Sequence, residues 1–261
     1  MKTIPILIML GLANMAQATI KRQVVEYKDG DTVLEGFVAF DDSISGKRPG
    51  VLIVHQWKGL GDYEKKRAEM LAQLGYVAFA ADIYGKGIRP KDTQAASAEA
   101  GKYKKDRKLL RARVNAGLAE LKKQPLTDSS KTAAIGYCFG GTTVIELARS
   151  GANIAGVVSF HGALDSPNPE DGKNIKCRVM ALHGADDPFV PAAEVAAFED
   201  EMRQAKVDWE LVKYGGAVHG FTDWNAKDPN MPGMLYNEKA DRRSWQDMQQ
   251  FFGELFGTTA K

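Results

Sequence analysis

A cysteine in a glycine-rich segment is the first candidate for chemistry in this sequence. Cys138 stands in the segment GYCFGG (136–141), where an apolar stretch runs into a helical pattern through the spacing G-x-C-x-G-G. This spacing is that of a nucleophile elbow, with cysteine in place of the usual serine. A side chain at Gly136 or Gly140 would crowd the neighbouring strand or helix. The sharp turn would also place Sγ of Cys138 at a helix N-terminus, where the positive end of the helix dipole favours the thiolate. The spacing therefore predicts that Cys138 is a nucleophile; a buried structural cysteine is the alternative.

An acid and a base follow Cys138 at comparable positions further along the chain. Asp187 comes shortly after an apolar run, and His219 lies in a glycine-rich loop after the run that ends at Tyr214. Nucleophile, acid and base in this order, each after its own strand, are typical of triads on doubly wound α/β sheets. The order predicts that His219 is the base and that Asp187 orients its imidazole. Two alternatives remain open: Asp187 caps the following helix, or Asp186 takes the role of the acid.

The elements that must position these residues follow from the hydrophobic pattern. Segments 24–27 and 33–40 flank Asp29-Gly30-Asp31 and predict a β-hairpin. Later apolar runs alternate with helical patterns, as expected of parallel strands covered on both faces. The predicted strands are 50–55, 76–81, 132–136, 155–160, 178–183 and 209–214, and the predicted helices are 62–74, 106–123, 142–150, 192–205 and 237–256. We expect an α/β fold with a single doubly wound, mostly parallel sheet flanked by helices, in one domain over residues 19–261, with ligands bound beyond the carboxyl ends of the strands.

The motifs together resemble a known family. They are the segments HQWKG (55–59), DY (62–63), DIYG (82–85), GYCFGG (136–141), GADDPFVP (184–191) and HGFT (219–222). In these segments the sequence resembles the dienelactone hydrolase (carboxymethylenebutenolidase-like) family of the α/β-hydrolase fold, over nearly all of the chain after residue 18. The resemblance implies hydrolysis of a small-molecule carboxylic ester or lactone, with Cys138, His219 and Asp187 as the triad and a thioester intermediate. It also implies an oxyanion hole formed by the backbone N–H groups of Trp57 and Phe139, and no cofactor.

Two residues depart from the family pattern. Gln56 stands where family members usually carry a glutamate beside the resting thiol, and a neutral amide cannot accept the proton of Cys138. Dienelactone-cleaving members bind the substrate carboxylate with arginines, one of them shortly after the histidine. The corresponding stretch here, residues 220–224, has no arginine and contains Asp223, whose like charge would repel a carboxylate. The expected function is therefore ester or lactone hydrolysis. The alternatives are a thioesterase or promiscuous esterase acting on another substrate, and a non-catalytic or redox-sensing binding protein on the same fold.

Aromatic and basic residues give weaker signals. Tyr84, Tyr103 and Trp224, with Trp57, are candidates for lining an apolar substrate pocket, although aromatic side chains more often belong to a core. The segment 102–113 carries seven basic residues and one acid. It is either the solvated face of a helix or a basic lid that attracts anionic substrates.

The remaining histidines and the second cysteine complete the reactive residues. His55, His161 and His183 end predicted strands, but no metal-ligand spacing accompanies them, so no metal site is predicted. Cys177 precedes a predicted strand whereas Cys138 follows one, which places the two at opposite edges of the sheet. A five-residue strand spans roughly 17 Å, beyond the Cα separation of about 7 Å that a disulfide allows. We therefore expect both thiols to be free.

Charge and length exclude several classes of protein. The 261 residues include 35 Lys+Arg and 33 Asp+Glu, a formal net charge of +2. Nucleic acid is not expected as a partner, because phosphate binding requires a large basic surplus. Two cysteines cannot form a disulfide framework or a four-cysteine zinc site. The sequence leaves the oligomeric state open.

The first 18 residues have the pattern of a targeting segment. Lys2 precedes an apolar run over 4–12, and the run is followed by Ala-Gln-Ala at 16–18. This arrangement predicts a signal peptide cleaved after Ala18, and hence a periplasmic or secreted protein. No later apolar segment approaches the length of a membrane span, so no span is expected in the mature protein.

Overall fold

The computed structural model describes residues 19–257, which form an eight-stranded sheet. The strands are β1 (Ile20–Asp29), β2 (Thr32–Asp41), β3 (Arg48–Val54), β4 (Val77–Ala81), β5 (Thr127–Tyr137), β6 (Gly156–Phe160), β7 (Arg178–Gly184) and β8 (Trp209–Tyr214). Their order in the sheet is β1-β2-β4-β3-β5-β6-β7-β8. β2 pairs antiparallel with β1 and β4, and the remaining neighbours are parallel. The predicted fold class, a mostly parallel doubly wound sheet, is confirmed.

The predicted hairpin is also confirmed. β1 and β2 pair from Ile20 with Asp41 to Asp29 with Thr32, and Gly30 at the turn has φ +56°. Glycine adopts this left-handed conformation without a Cβ clash, and it suits the tight turns that join twisted antiparallel strands. The hairpin forms one side of the sheet, and the parallel strands occupy the rest of it, from β4 to β8 at the opposite edge.

Helices cover both faces of the sheet. They are α1 (Asp62–Gln73), α2 (Thr93–Lys105), α3 (Arg107–Lys123), α4 (Phe139–Arg149), α5 (Ala192–Ala205) and α6 (Glu238–Phe256), with short 3₁₀ turns at Pro169–Asn174 and Pro232–Met234. Alternate residues of β3 enter the two halves of the core: Leu52 and Val54 pack with α3, α4 and α5, whereas Val51 and Ile53 pack with α1 and α6. Burial of both faces explains why the parallel strands are continuous apolar runs.

Helix α2 was not predicted, because two of the three residues on its buried face, Ala96, Ala100 and Tyr103, are small and give only a weak apolar stripe. Asp92 begins it by accepting a hydrogen bond from the Ala95 N–H at 2.8 Å. Asp106 separates α2 from α3 and caps α3 through the Leu109 N–H at 2.9 Å. The basic segment 102–113 is therefore two helix ends and not one continuous helix.

The arginines of this segment are engaged in ion pairs. Arg111 contacts Glu146 at 2.8 Å, and Arg113 contacts Asp29 at 2.8 Å. Arg107 contacts Asp165 at 2.5 Å. These charges join α3 to other parts of the fold, and Lys102 forms an ion pair with Glu99 at 3.7 Å. The solvated basic surface of the segment therefore consists of Lys104, Lys105 and Lys108, which are exposed.

The two ends of the chain lie outside the part that the structure describes. The predicted signal peptide, residues 1–18, falls there, and so do residues 258–261. Over residues 19–257, no helix has both the length and the apolar character needed to cross a bilayer.

Candidate active site

Cys138 occupies a strained turn between β5 and α4. Its backbone has φ 54° and ψ −114°, a conformation that residues with a side chain rarely adopt. A Cβ at Gly136 would stand 2.0 Å from the carbonyl oxygen of Gly140, and a Cβ at Gly140 would stand 2.2 Å from that of Val54. Both glycines are needed because helix α4 starts directly against the sheet. α4 begins at Phe139, earlier than the predicted residue 142, so Cys138 stands at the helix N-terminus.

The structure brings the three predicted reactive side chains together. The Nε2 atom of His219 lies 3.1 Å from Sγ of Cys138, and its Nδ1 lies 2.8 Å from Oδ2 of Asp187. The second oxygen of Asp187 accepts the Phe189 N–H at 2.8 Å, which fixes the carboxylate. Asp186 is exposed, whereas Asp187 is buried. Helix α5 begins at Ala192 with Pro191 as its N-cap, so Asp187 does not cap it.

Cys138 and His219 shift each other's protonation. Burial disfavours the thiolate, but the charge and hydrogen bond of His219 outweigh it and lower the pKa of Cys138, with help from Lys104 and the Phe139 N–H. Burial also disfavours the imidazolium, but the Cys138 thiolate and the Asp187 carboxylate raise the pKa of His219 above its usual value. Both shifts favour a thiolate–imidazolium pair.

We expect iodoacetamide to alkylate Cys138 at pH values at which an ordinary thiol is unreactive. The thiolate persists down to the lowered pKa of Cys138, below the usual value of about 8.5, and alkylation slows only as the pH falls through that pKa. Burial raises the pKa of Cys177 to about 12, so this second thiol serves as the internal control and stays unlabelled. Peptide mass spectrometry across a pH series measures both sites. If the pH midpoint of Cys138 alkylation were at or above that of a free thiol, the thiolate–imidazolium pair would be contradicted.

The candidate oxyanion donors lie at the same edge of the sheet. β3 pairs with β5 through Val54 and Gly136, so Trp57 and Phe139 come shortly after neighbouring strand ends. The Phe139 N–H interacts with the Cys138 thiol. Within residues 19–257 the Trp57 N–H has no hydrogen-bond acceptor, while the Trp57 carbonyl accepts the Tyr84 hydroxyl at 2.9 Å.

The two residues that depart from the family pattern contact each other. The Gln56 side chain donates from Nε2 to Oδ2 of Asp223 at 3.4 Å, across 167 positions of sequence. Asp223 is half-buried and faces the same cavity as Gln56. The structure therefore pairs the amide of Gln56 with the carboxylate of Asp223 in the wall of this cavity.

The aromatic residues predicted to line a pocket have different places in the structure. Tyr84 and Tyr103 are buried and stacked, with ring centroids 5.3 Å apart, and they support the loop that carries Trp57. Trp224 is half-buried against Tyr63, with ring centroids 4.5 Å apart. Tyr84 and Tyr103 thus differ from the prediction because their rings fill the core behind the site.

An open cavity of about 500 Å³ lies beside Gln56 and Trp57. Its walls come from the loop after β3 and from the segment that follows His219, including Asp223, Asp228, Met231 and Met234. Phe189 is 58% exposed, and its ring meets that of His219 edge to face, with centroids 5.5 Å apart. Trp57, a candidate oxyanion donor, and the segment that follows His219 therefore line a cavity of small-molecule size with partly apolar walls.

Sequence reasoning missed a buried network behind the nucleophile. The N–H of Cys138 donates to the Phe160 carbonyl at 3.0 Å and lies 3.1 Å from Nδ1 of His161. The Nε2 of His161 lies 2.7 Å from the Thr222 hydroxyl, which also accepts a hydrogen bond from Tyr63 at 2.8 Å. Burial and the charge of His219 hold the pKa of His161 well below its usual range, so the ring is neutral. The only signals in the sequence were the position of His161 at a strand end and Thr222 in the HGFT motif.

The other predicted features concern metals and disulfides. Among residues 19–257, no group of three or more histidine, cysteine and acidic side chains has the arrangement of a metal site. Cys138 follows β5, Cys177 precedes β7, and both thiols are free.

Comparison with known proteins agrees with this geometry. The model of the dienelactone hydrolase family matches residues 34–256. A dienelactone hydrolase-like promiscuous phosphotriesterase from metagenomic libraries is 42% identical, with a TM-score of 0.88 over 92% of this chain and 99% of that one. A Bradyrhizobium protein named "Probable 2-oxo-3-(5-oxofuran-2-ylidene)propanoate lactonase" is 28% identical over 188 residues, 68% of this chain and 75% of the relative. Pyrococcus horikoshii acylaminoacyl peptidase, 15% identical with a TM-score of 0.71 over 94% of this chain and 43% of that one, shares the fold alone. The chain belongs to the dienelactone hydrolase family and is an ester or lactone hydrolase with an α/β-hydrolase fold.

Proposed function

We propose that this protein hydrolyses small, uncharged carboxylic esters or lactones through a thioester on Cys138. The observation that carries the proposal is the hydrogen-bonded chain from Asp187 through His219 to Cys138, with contacts of 2.8 and 3.1 Å. A nucleophile whose base is oriented by a third group is the arrangement that covalent catalysis requires.

The acylation half of the reaction uses the thiolate–imidazolium pair. Sγ of Cys138 bonds to the carbonyl carbon, and the carbonyl π electrons move to the oxygen, which is held by the N–H groups of Trp57 and Phe139. One such donor typically contributes about 2.7–4 kcal/mol to transition-state stabilisation. As the tetrahedral intermediate collapses, the bond to the leaving oxygen breaks and that oxygen takes the proton of His219. With a lactone, the leaving alcohol remains attached to the acyl group.

Deacylation reverses the roles of the same residues. His219 accepts a proton from water, and the resulting hydroxide attacks the thioester carbonyl carbon. The second tetrahedral intermediate expels the Cys138 thiolate and leaves the carboxylic acid. Because Gln56 cannot carry a proton, both halves of the reaction depend on His219, and Asp187 stabilises its charged form throughout.

The carboxylate that contacts Gln56 favours a neutral acyl group. Asp223 contacts Gln56 in the wall of the cavity, and Asp228 lies further along the same wall. The cavity also has basic residues, Lys58, Arg89 and Lys227, but the Gln56 amide is bonded to an acid. A substrate carboxylate in this position would meet like charge. The exposed ring of Phe189 offers an apolar contact beside His219.

A neutral phosphotriester is a second candidate substrate. The relative at 42% identity is named a promiscuous phosphotriesterase, and a phosphotriester meets the same requirement for an uncharged reacting group. The phosphoryl oxygen would occupy the site proposed for the carbonyl oxygen.

The acyl-enzyme provides the test of the mechanism. Rapid quenching of a reaction with p-nitrophenyl butyrate should trap a butyryl group on the peptide that contains Cys138, and mass spectrometry should show none on Cys177. Paraoxon added in a parallel reaction tests the phosphotriester. An enzyme that turns over ester without an adduct on Cys138 would contradict the thioester, and absence of turnover with every substrate would favour the binding or redox-sensing alternative.

A matched ester that carries a charge tests the substrate class in the same assay. We expect p-nitrophenyl hemisuccinate to react more slowly than the butyrate. Asp223→Asn should reduce the difference in rate between the two esters by about fivefold or less, since one partly exposed charge contributes about 1 kcal/mol or less. The neutral ester should be unaffected by the substitution. Equal rates for the two esters with the wild-type enzyme would contradict the preference.

A further inference from the structure

The loop over residues 55–61, here called the oxyanion loop, is held by a buried histidine that the proposed mechanism does not use. His55 is fully buried at the end of β3. Its Nδ1 lies 2.6 Å from the carbonyl oxygen of Gln56, and its Nε2 lies 3.2 Å from the N–H of Ile83. Both ring nitrogens of His55 are therefore engaged with backbone groups.

These contacts determine which nitrogen of His55 carries the proton. The Ile83 N–H can only donate, so Nε2 is the acceptor and Nδ1 carries the hydrogen that it donates to Gln56. Burial lowers the pKa of His55 to about 4, against the smaller opposing effect of the Gln56 hydrogen bond. The ring is neutral at neutral pH and keeps this tautomer.

The hydrogen bond from His55 controls the direction of the Trp57 N–H. The Gln56 carbonyl and the Trp57 N–H belong to one planar peptide unit, in which they point in opposite directions when the bond is trans. No cis peptide bond occurs among residues 19–257. Gly59 donates a second hydrogen bond to the same carbonyl at 3.2 Å, and Glu64 accepts the preceding Gln56 N–H at 3.1 Å. Holding the carbonyl in place therefore holds the N–H toward the cleft.

The same ring also contacts the residue that carries the other candidate donor. His55 stacks on Phe139, with ring centroids 5.7 Å apart and planes 19° from parallel. The Tyr84 ring meets the His55 ring edge to face, with centroids 4.6 Å apart. His55 thus connects the peptide of Trp57 with the first residue of α4.

We propose that His55 is a positioning residue that keeps the Trp57 N–H directed at the oxyanion. The inference rests on the proposed function, because it assigns a role within that oxyanion hole. Without the Nδ1–H donor, the peptide between Gln56 and Trp57 can rotate and present its carbonyl to the cleft. A carbonyl oxygen there would repel the developing negative charge.

The test compares a reaction that forms an oxyanion with one that does not. His55→Leu should slow single-turnover acylation by p-nitrophenyl butyrate by about 10²-fold, as expected for loss of one oxyanion donor. Its KM should change little. Iodoacetamide alkylation of Cys138 should stay within about twofold of wild type, because Sγ displaces iodide at a saturated carbon and no oxyanion forms. His55→Asn, whose side-chain amide lies near the position of Nδ1 and can donate to Gln56, should recover part of the acylation rate.

A second buried histidine at a strand end is the matched control. His183 is the second-last residue of β7, at the same edge of the sheet, and its Nδ1 has no hydrogen-bond partner within the described residues. His183→Leu should acylate at close to the wild-type rate. Wild-type acylation by His55→Leu would overturn the inference while leaving the proposed function intact. Equal losses of acylation and alkylation would also overturn it, by showing a general structural role. Absence of acylation in the wild type would instead refute the proposed function.

Discussion

Replacing Cys138 by alanine should reduce ester turnover by at least about 10⁴-fold, since loss of the nucleophile in a comparable triad costs about 10⁶-fold. The sulfur is the atom that contacts Nε2 of His219, at 3.1 Å. Without it, the oxyanion donors and the cavity can still bind substrate, but the acyl group has no attachment point. The residual turnover of the variant should be that of attack by water on a substrate that is bound and stabilised electrostatically.

Cys177→Ala is the matched control for this experiment. It removes the other thiol of the chain, which is buried before β7 and makes no contribution to the site. Steady-state hydrolysis of p-nitrophenyl butyrate by the two variants, with thermal unfolding measured alongside, separates chemistry from stability. Comparable activity in both variants would show that Cys138 is not the nucleophile.

Asp187→Asn should lower turnover by about 10⁴-fold, as the equivalent change does in a serine protease triad. The Asp187 carboxylate accepts the hydrogen of His219 Nδ1 at 2.8 Å and stabilises the imidazolium. An asparagine that turns its NH₂ toward Nδ1 forces the proton onto Nε2, which then cannot accept a proton from water. The lost charge also lowers the pKa of His219 and with it the thiolate fraction of Cys138.

The neighbouring residue offers the control for Asp187. Asp186→Asn removes the same charge at an exposed position and should leave turnover within about twofold, as is usual for surface substitutions. Steady-state rates and the pH dependence of Cys138 alkylation should both respond to Asp187→Asn and not to Asp186→Asn. A larger loss of turnover with Asp186→Asn than with Asp187→Asn would indicate that Asp186 is the acid of the triad.

The sequence predicted the sheet and the elbow because both follow from local rules. Continuous apolar runs such as that of β3 reflect strands buried on both faces. The glycines around Cys138 reflect a turn that tolerates no Cβ, and their spacing can be read without knowing any distant contact. Helix α2 was not predicted because its buried face consists largely of alanines, which give a weak amphipathic pattern.

Long-range contacts could not be predicted in the same way. The pairing of Gln56 with Asp223 and that of Arg113 with Asp29 depend on how loops and helices lie across the sheet. Tyr84 and Tyr103 are of a residue type that is common in pockets, but packing against Phe139 places them in the core.

By itself, the sequence determined the fold class, the order of nucleophile, acid and base, and the strand ends at which they stand. Tertiary structure decided that Asp187 and not Asp186 contacts His219. The side chains of neighbouring loop residues point in different directions, and only the folded conformation of the loop determines which of them faces His219. It also decided the tautomer of His55 and its hold on the oxyanion loop. Whether a hydrogen bond forms between two separate elements depends on differences of a few tenths of an ångström in their distance. The packing of the whole sheet sets that distance, and no local sequence pattern does.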